Sequence, residues 1–352
     1  MKLLIFDRWE MRFSIVVPVY NTKKYLKTSL DSIVGQTFNE YEVVVVNDGS
    51  TDDSMNIVNE YAMKYGFKVI DKPNKGCYAA RVDGIINCKG EYIINLDSDD
   101  CFSSDTVLAE LDKRLRKIND PDVLIYGYNE MSDNGKITKT NYRKRQSYIG
   151  DKCKEFYKRF FATTEYNSIW SKVFRKELFS AELIINKRIN MCEDVFISLN
   201  ILESASSIEC VEDVFYNYRI NPTSLVREYK KSDSVNVLVY EKMSEFISRK
   251  GLDKEFLEIA SMRFLKDCAV TYLLAPNNIN GKSDCYKSDL CEIASNPIYQ
   301  KVCGDYLSKQ SSCIRFINKL ILKKKLRMIV FFKRFFQIKS INKLMRKVYG
   351  KA

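Results

Sequence analysis

The tetrad Asp97-Ser98-Asp99-Asp100 closes the apolar run that begins at Tyr92, and two other polar groups close apolar runs of the same kind. Tyr20-Asn21 follows FSIVVPV (13–19), and Asn47-Asp48-Gly49-Ser50 follows YEVVVV (41–46). The chain has no histidine, which excludes a Ser-His-Asp triad, a Cys-His dyad and every His-ligated zinc site. Any general base must be a carboxylate or a less usual group. Carboxylates without histidine suit a hard cation and a phosphate, because Mg²⁺ or Mn²⁺ takes oxygen ligands from one or two carboxylates and from the substrate's own phosphates. A lone Asp-x-Asp is more often a solvated turn. Its place at a strand end, in phase with the two other groups, is what favours a site.

The elements that would position these groups alternate strand and helix, the pattern of a parallel α/β sheet. Ligands of such a sheet sit outside the carboxyl ends of its strands, so the three groups should share one crevice. Thr22 can cap a helix whose inward positions are Tyr25, Leu26, Ser29, Leu30, Ile33 and Val34. Residues 50–53 supply caps for a second helix, with Ile57, Val58, Tyr61, Ala62 and Tyr65 inward and Gly66 as its stop. Strands are expected at 67–70, at 92–97 and at 122–128, and helices from Tyr78 to Asn87 and from a Ser104 cap to about Ile118. Asn134-Gly135 marks a hairpin. From Ser232 the pattern turns helical, with a loop at 276–281.

The stretches SIVVPVYNTKKYLKTSLDSIVGQTFNEYEVVVVNDGSTDDS and NKGCYAARVDGIINCKGEYIINLDSDD, with SIWSKVFRKELF and CEDVFISLNILES downstream, resemble the family 2 glycosyltransferases of bacterial surface-polysaccharide type. The resemblance runs from Arg12 to about Arg227. It implies a GT-A (Rossmann-like) fold, a mostly parallel central sheet flanked by helices, followed by a C-terminal helical region. It also implies transfer of one sugar from a nucleotide donor, UDP-linked for preference, with inversion. The domains expected are a catalytic domain at 12–230, with a nucleotide half at 12–128 and an acceptor half at 129–230, then a helical region at 231–305 and a basic amphipathic tail at 306–352.

Carried over residue by residue, the resemblance makes Asp99 a ligand of Mn²⁺ or Mg²⁺, with Asp97 supporting the metal and the ribose. It gives Asp48 the uracil imide; the bland alternative is an Asx turn. Pro18, Tyr20 and Asn21 would line the base and ribose, although Tyr20 could equally be ordinary turn chemistry. Lys75, Arg81 and Ser98 join the donor set. Arg81 could reach a phosphate as a fork of donors, or be a surface helix charge. The family's Arg-Asn is Arg81-Val82 here. Asp194 becomes the general base with Glu193 in support, against the plainer reading of an acidic first helical turn. Trp170 is either an acceptor platform or a core tryptophan. Tyr218-Arg219 and 224–227 resemble a flexible loop over the donor phosphates.

No GxGxxG or GxxxxGK occurs, which removes the dinucleotide fingerprint and the P-loop. The QxxRW element of processive family members is also missing, which favours adding one sugar. Eleven scattered cysteines without a CxxC pair fit reduced thiols. The N-terminus offers four apolar residues before a charge, too few for a signal peptide, and Met11 is an alternative start. No apolar run approaches a spanning helix. The expected location is therefore cytoplasmic, peripheral on the inner face of the cell membrane. Residues 306–352 hold fourteen Lys and Arg and no acidic residue, leaving 43 basic and 45 acidic residues elsewhere. Interleaved with Ile317, Leu320, Ile321 and Phe332, they read as a segment for an anionic membrane surface. The partners expected are thus a nucleotide-sugar, a lipid-linked glycan acceptor and that surface, with no nucleic acid. Alternatives are a nucleotidyltransferase, which releases pyrophosphate, and a non-catalytic nucleic-acid-binding protein using the tail.

Overall fold

The computed structural model describes residues 11–185, 189, 191–220, 233–274, 283–325, 327–329 and 331. The chain divides into two compact units, Met1–Cys153 with Ser168–Thr223, and Lys154–Asn167 with Ser224–Ala352.

The first unit opens with β1 (Phe13–Val19), α1 (Lys23–Val34), β2 (Tyr41–Asn47), α2 (Ser54–Tyr65), β3 (Lys68–Asp71), α3 (Cys77–Ile86) and β4 (Tyr92–Asn95). These strands lie side by side in the order β3-β2-β1-β4, all parallel, with Phe13 opposite both Tyr41 and Tyr92. Every residue of β1 is buried, the signature of a strand covered on both faces. Val16 and Val46 meet α3 at Gly84, where a Cβ would come within 2.4 Å of Val16 Cγ1, so only glycine lets the helix lie this close.

The sheet continues through β5 (Cys101–Phe102), α4 (Val107–Lys117), β6 (Val123–Ser132), β7 (Ile137–Asn141) and β8 (Gln146–Ile149). After α5 (Cys153–Ala162), it is completed by β9 (Lys172–Arg175), α6 (Glu193–Ser204) and β10 (Ser207–Ile220). β9 runs antiparallel between β4 and β6, and β5, β7 and β8 also pair antiparallel. The ten-stranded sheet is therefore mixed, parallel in its nucleotide half and again between β6 and β10, with the antiparallel strands inserted between and beside them. The 134–135 hairpin forms as expected, with Gly135 at φ 86°.

Two expected caps are used differently. Thr22 and Thr106 precede α1 and α4, yet neither makes a side-chain cap. Thr22 instead donates to Ser98 Oγ at 3.0 Å, and Ser104 lies outside the helix it was expected to cap. Tyr65, expected inward, is 45% exposed at the end of α2, where Gly66 at φ 74° stops the helix.

The second unit is helical: α5, α7 (Asp233–Arg249), α8 (Lys254–Leu274), α9 (Ser283–Ser295), α10 (Pro297–Tyr306) and α11 (Ser312–Leu322). Two expected boundaries move. Helix α5 joins this unit because Tyr157 and Phe161 pack edge-on against Phe246, and Phe161 against Phe256. Arg263 closes the arrangement by donating to the carbonyls of Phe160 and Thr163, both at 2.8 Å. The expected tail also begins inside the unit. Ile314, Ile317, Leu320 and Ile321 are buried, and Asn318 donates to Leu265 O at 3.0 Å while accepting from Tyr299 Oη at 2.6 Å. The apolar stripe of α11 is thus spent on its own helical unit. Residues 332–352, including Phe332, lie outside the described residues.

Candidate active site

The site lies in the first unit, where β1 sits between β2 and β4 and the chain order reverses. At such a switch point the loops leaving adjacent strands diverge and open a crevice.

The β2 rim is built around Asp48. Its carboxylate is buried and accepts the backbone N–H of Lys75 and of Gly76, each at 2.8 Å. Lys72 Nζ stands 3.7 Å from it, and Asn74 donates to the Asp48 carbonyl at 2.9 Å. Asp48 therefore ties the 72–76 loop to the end of β2. The turn after it needs a left-handed residue, supplied by Gly49 at φ 74°, whose Cβ would lie 2.8 Å from Asn74 N. Asn21 occupies the same region of backbone space, φ 52°, and its side-chain oxygen accepts the N–H groups of Thr51 (2.7 Å) and Asp52 (3.3 Å). Pro18 is buried beneath, Tyr20 is 47% exposed, and Lys75 is exposed.

The β4 rim is the acidic turn. Asp100 is buried and purely architectural, taking the Arg219 N–H at 2.6 Å and the Tyr216 hydroxyl at 2.7 Å. Arg219 adds a bond from Nε to the Asp99 carbonyl at 2.8 Å. Tyr218 and Arg219 are thus residues of strand β10, with Arg219 bracing the turn, not members of a flexible loop; residues 224–227 lie outside the described residues. Asp99 is pushed up to about 6, by burial first and by the charge of Asp97 second. Ser98 is buried under the Thr22 contact.

Among the described residues no three His, Cys, Asp or Glu side chains converge as a ready-made metal cage. Asp97 and Asp99 nevertheless fit a hard cation completed by phosphate oxygens. Behind burial, the charge of Asp97 adds to the rise of Asp99, and a divalent ion held there would offset that charge.

Arg81 joins the two halves. It is 3% exposed, so the surface-charge reading fails. One Nη donates to Asp97 at 2.6 Å; the other donates to Glu193 at 3.0 Å and stands 3.2 Å from Asp194 Oδ1. That last contact has ion-pair distance without hydrogen-bond alignment, and Asp194 Oδ1 has no hydrogen-bond partner. Asp194 is raised, by burial first, with Arg81 opposing and Glu193 and Asp97 adding to the rise. It is the second residue of helix α6, which starts at Glu193 directly after Cys192, held at φ 59°.

Trp170 is 8% exposed, with its ring stacked on Tyr216 (4.7 Å) and Tyr218 (5.3 Å) and edge-on to Tyr128 (4.8 Å). That is a core environment, the second of the two readings the sequence left open for Trp170.

With that geometry in view, the sequence profile of glycosyl transferase family 2 matches residues 14–178. The chain is 32% identical over 268 residues to the glycosyltransferase GlyG of Streptococcus pneumoniae, covering 72% of this chain and 86% of GlyG. It is also 32% identical over 250 residues to EpsH of Bacillus subtilis, covering 69% of this chain and 71% of EpsH. The chain belongs to glycosyl transferase family 2. Its fold is that of Staphylococcus aureus TarS 1-349, solved in complex with UDP-GlcNAc, at a TM-score of 0.66 and 20% identity over 93% of this chain and 92% of the other.

Several residues of this glycosyltransferase's site escaped sequence reading. Tyr216 carries no motif signal. Asn95 and Lys172 did carry one: each is a polar residue inside an apolar strand run, YIINL and KVF, where a buried partner must be found for it.

Proposed function

We propose that this glycosyltransferase moves one sugar from a UDP-sugar to a hydroxyl of a growing, lipid-linked surface glycan, with inversion at the anomeric carbon. The observation that carries the reading is Arg81, which holds the acidic turn after β4 and the acidic start of α6 against one guanidinium. A donor diphosphate at the turn and an acceptor hydroxyl at Asp194 would then lie on either side of the sugar.

In the proposed step the acceptor oxygen attacks C1 and its proton passes to the Asp194 carboxylate. The C1–O bond to the diphosphate breaks, and the electron pair leaves on the phosphate oxygen. Mn²⁺ or Mg²⁺ held by Asp99 and Asp97 would neutralise that leaving charge. Pro18, Tyr20, Asn21 and Asp48 would seat the base and ribose; the lone pairs of Asp48 not used by the 75–76 amides remain for the imide. Lys75, Arg81 and Ser98 would face the phosphates. A UDP-GlcNAc complex is known for the TarS fold, which makes that donor the first to try.

Among the described residues no helix is long and apolar enough to cross a membrane. Membrane contact is proposed for the basic end, where Met328 (49%) and Phe331 (71%) stand exposed beside Lys323, Lys324, Lys325 and Arg327. Each cation near an anionic leaflet adds about 1 kcal/mol. Because α11 is a core helix, the test is loss of liposome flotation on neutralising residues 323–327, not truncation before α11.

The test of the chemistry is product analysis with UDP-, GDP-, dTDP- and CMP-sugars, each with Mn²⁺, Mg²⁺ or EDTA. Release of UDP from one donor, abolished by EDTA, is expected. Release of pyrophosphate, or no dependence on Asp99, would overturn the reading.

A further inference from the structure

Arg81 is surrounded by more anions than one guanidinium can fully serve. One Nη donates to Asp97 Oδ1 at 2.6 Å, and the other donates to Glu193 Oε1 at 3.0 Å while standing 3.2 Å from Asp194 Oδ1. The residue is 3% exposed, and its Nε makes no hydrogen bond. The planar head group is therefore held only by the carboxylates that share it. One positive charge is divided between the acidic turn after β4 and the first turn of α6.

The frame around that charge does not depend on it. Helix α3 lies on the sheet through Gly84, against Val16 and Val46. Its Tyr78 ring packs edge-on against Phe196 of α6 at 6.3 Å. The turn has its own anchors: the Tyr216 hydroxyl accepts the Asp97 N–H at 3.2 Å and donates to Asp100 at 2.7 Å, Thr22 holds Ser98, and Arg219 holds the Asp99 carbonyl. With both backbones fixed by other groups, the parts left to rearrange are the guanidinium and the three carboxylate heads. Asp97 is then the point of competition, because a divalent cation takes carboxylate oxygens and would claim the same group as Arg81.

We infer that Arg81 couples the cation site to the base. A divalent cation on Asp97 releases the guanidinium toward Glu193 and Asp194, and the α6 carboxylates in turn draw Arg81 off Asp97 and open it to the cation. The two effects are equal in size, as coupling between two binding equilibria requires. Arg81 is thus a positioning residue that engages Asp194 most fully once the cation and the donor diphosphate are in place, so the donor half is completed before the catalytic half. The inference rests on the reading of Asp97 and Asp99 as cation ligands.

The experiment is the affinity for Mn²⁺ at saturating UDP, read from the electron paramagnetic resonance signal of the free ion, with the melting temperature of each metal-free variant. Glu193→Gln keeps an acceptor for Arg81 and removes the charge. Arg81 then settles on Asp97, and Mn²⁺ affinity should fall about fivefold or more with the melting temperature little changed. A direct field of Glu193 on the ion acts in the same sense, so the deciding variants are those that abolish the exchange. With Arg81→Met or Asp97→Asn as background, the effect of Glu193→Gln should shrink to about twofold or less, whereas a direct field would persist. An undiminished effect in either background overturns the inference, as does wild-type Mn²⁺ affinity in Glu193→Gln itself. Should Arg81→Met not fold, the Asp97→Asn cycle decides alone. Mn²⁺ affinity unmoved by Asp99→Ala would instead overturn the metal reading, and the coupling with it.

Discussion

Two carboxylates at the rim of the crevice, the buried Asp48 and the half-buried Asp194, have opposite surroundings. Asp48 takes two backbone N–H groups and has Lys72 nearby, so its charge is absorbed by the loop it holds. Asp194 has Arg81 at ion-pair distance, an oxygen with no hydrogen bond, and two other carboxylates in the same field. A satisfied buried charge is architecture. An unsatisfied one, sharing its cation with competitors, is free to take a proton, and that difference separates the donor rim from the catalytic side.

The largest effect that would sharpen this contrast is at Asp194. Asp194→Asn keeps the shape and removes the basicity, so transfer should fall by about 10²–10⁴-fold while donor affinity stays within about twofold. Equal losses in affinity and turnover would place Asp194 with the architecture instead. Asp48→Asn should behave the other way round. The amide can accept one of the two N–H groups but turns its own NH₂ toward the other, costing about 3 kcal/mol. The expected readout is a lowered melting temperature and a raised donor KM, with turnover much less affected.

Trp170 tests the line between site and core on the acceptor side. Stacked on two tyrosines, it should cost about 3–5 kcal/mol of stability as alanine. A sugar platform would behave differently, with the acceptor KM rising steeply and the fold hardly weakened. Unfolding in denaturant together with acceptor kinetics of Trp170→Phe separates the two.

Protonation gives a third comparison, now within the acidic turn. Asp99 is raised to about 6 by burial and by Asp97. As a raised carboxylate it favours the fold in its protonated form, a contribution fully present below the unfolded value and lost as pH rises through 6. Metal binding runs the opposite way, because a protonated ligand must give up its proton first. Stabilisation by Mn²⁺ should therefore be strong at pH 7.5 and weaken about tenfold in affinity per unit below 6. A metal-induced thermal shift of the same size at pH 5 and pH 7.5 would exclude Asp99 as a ligand.

What could be read from the sequence follows the same division. β1, β2 and β4 with their polar ends were legible because each polar group directly follows its own apolar run, and parallel packing forces the three ends together. The Asp97 and Asp194 segments are nearly a hundred residues apart, and only the family resemblance linked them before Arg81 did so physically. Tyr216 bracing Asp100 depends on strand register between β10 and β5, which no local pattern encodes. The reversal at β9 was missed for a related reason: KVFR reads as a buried strand in either direction. Within the expected tail, α11 could not be told from a membrane-surface helix, because an amphipathic helix has the same period whether its apolar face meets a lipid surface or α8.

The smallest expected effect lies at Cys192, which holds the left-handed region immediately before Glu193 and Asp194. A side chain there costs about 1–2 kcal/mol relative to the ordinary helical region. Glycine removes that cost but restores about 0.4–1 kcal/mol of unfolded-state freedom. Cys192→Gly should thus gain about 0.5 kcal/mol, a rise of roughly 1–2 °C in a domain of this size. The sharper reading is kinetic. If the strained residue serves only to start α6, stability rises and transfer is unchanged. If it fixes where Asp194 points, the more stable variant is the slower enzyme, with donor affinity intact and turnover reduced.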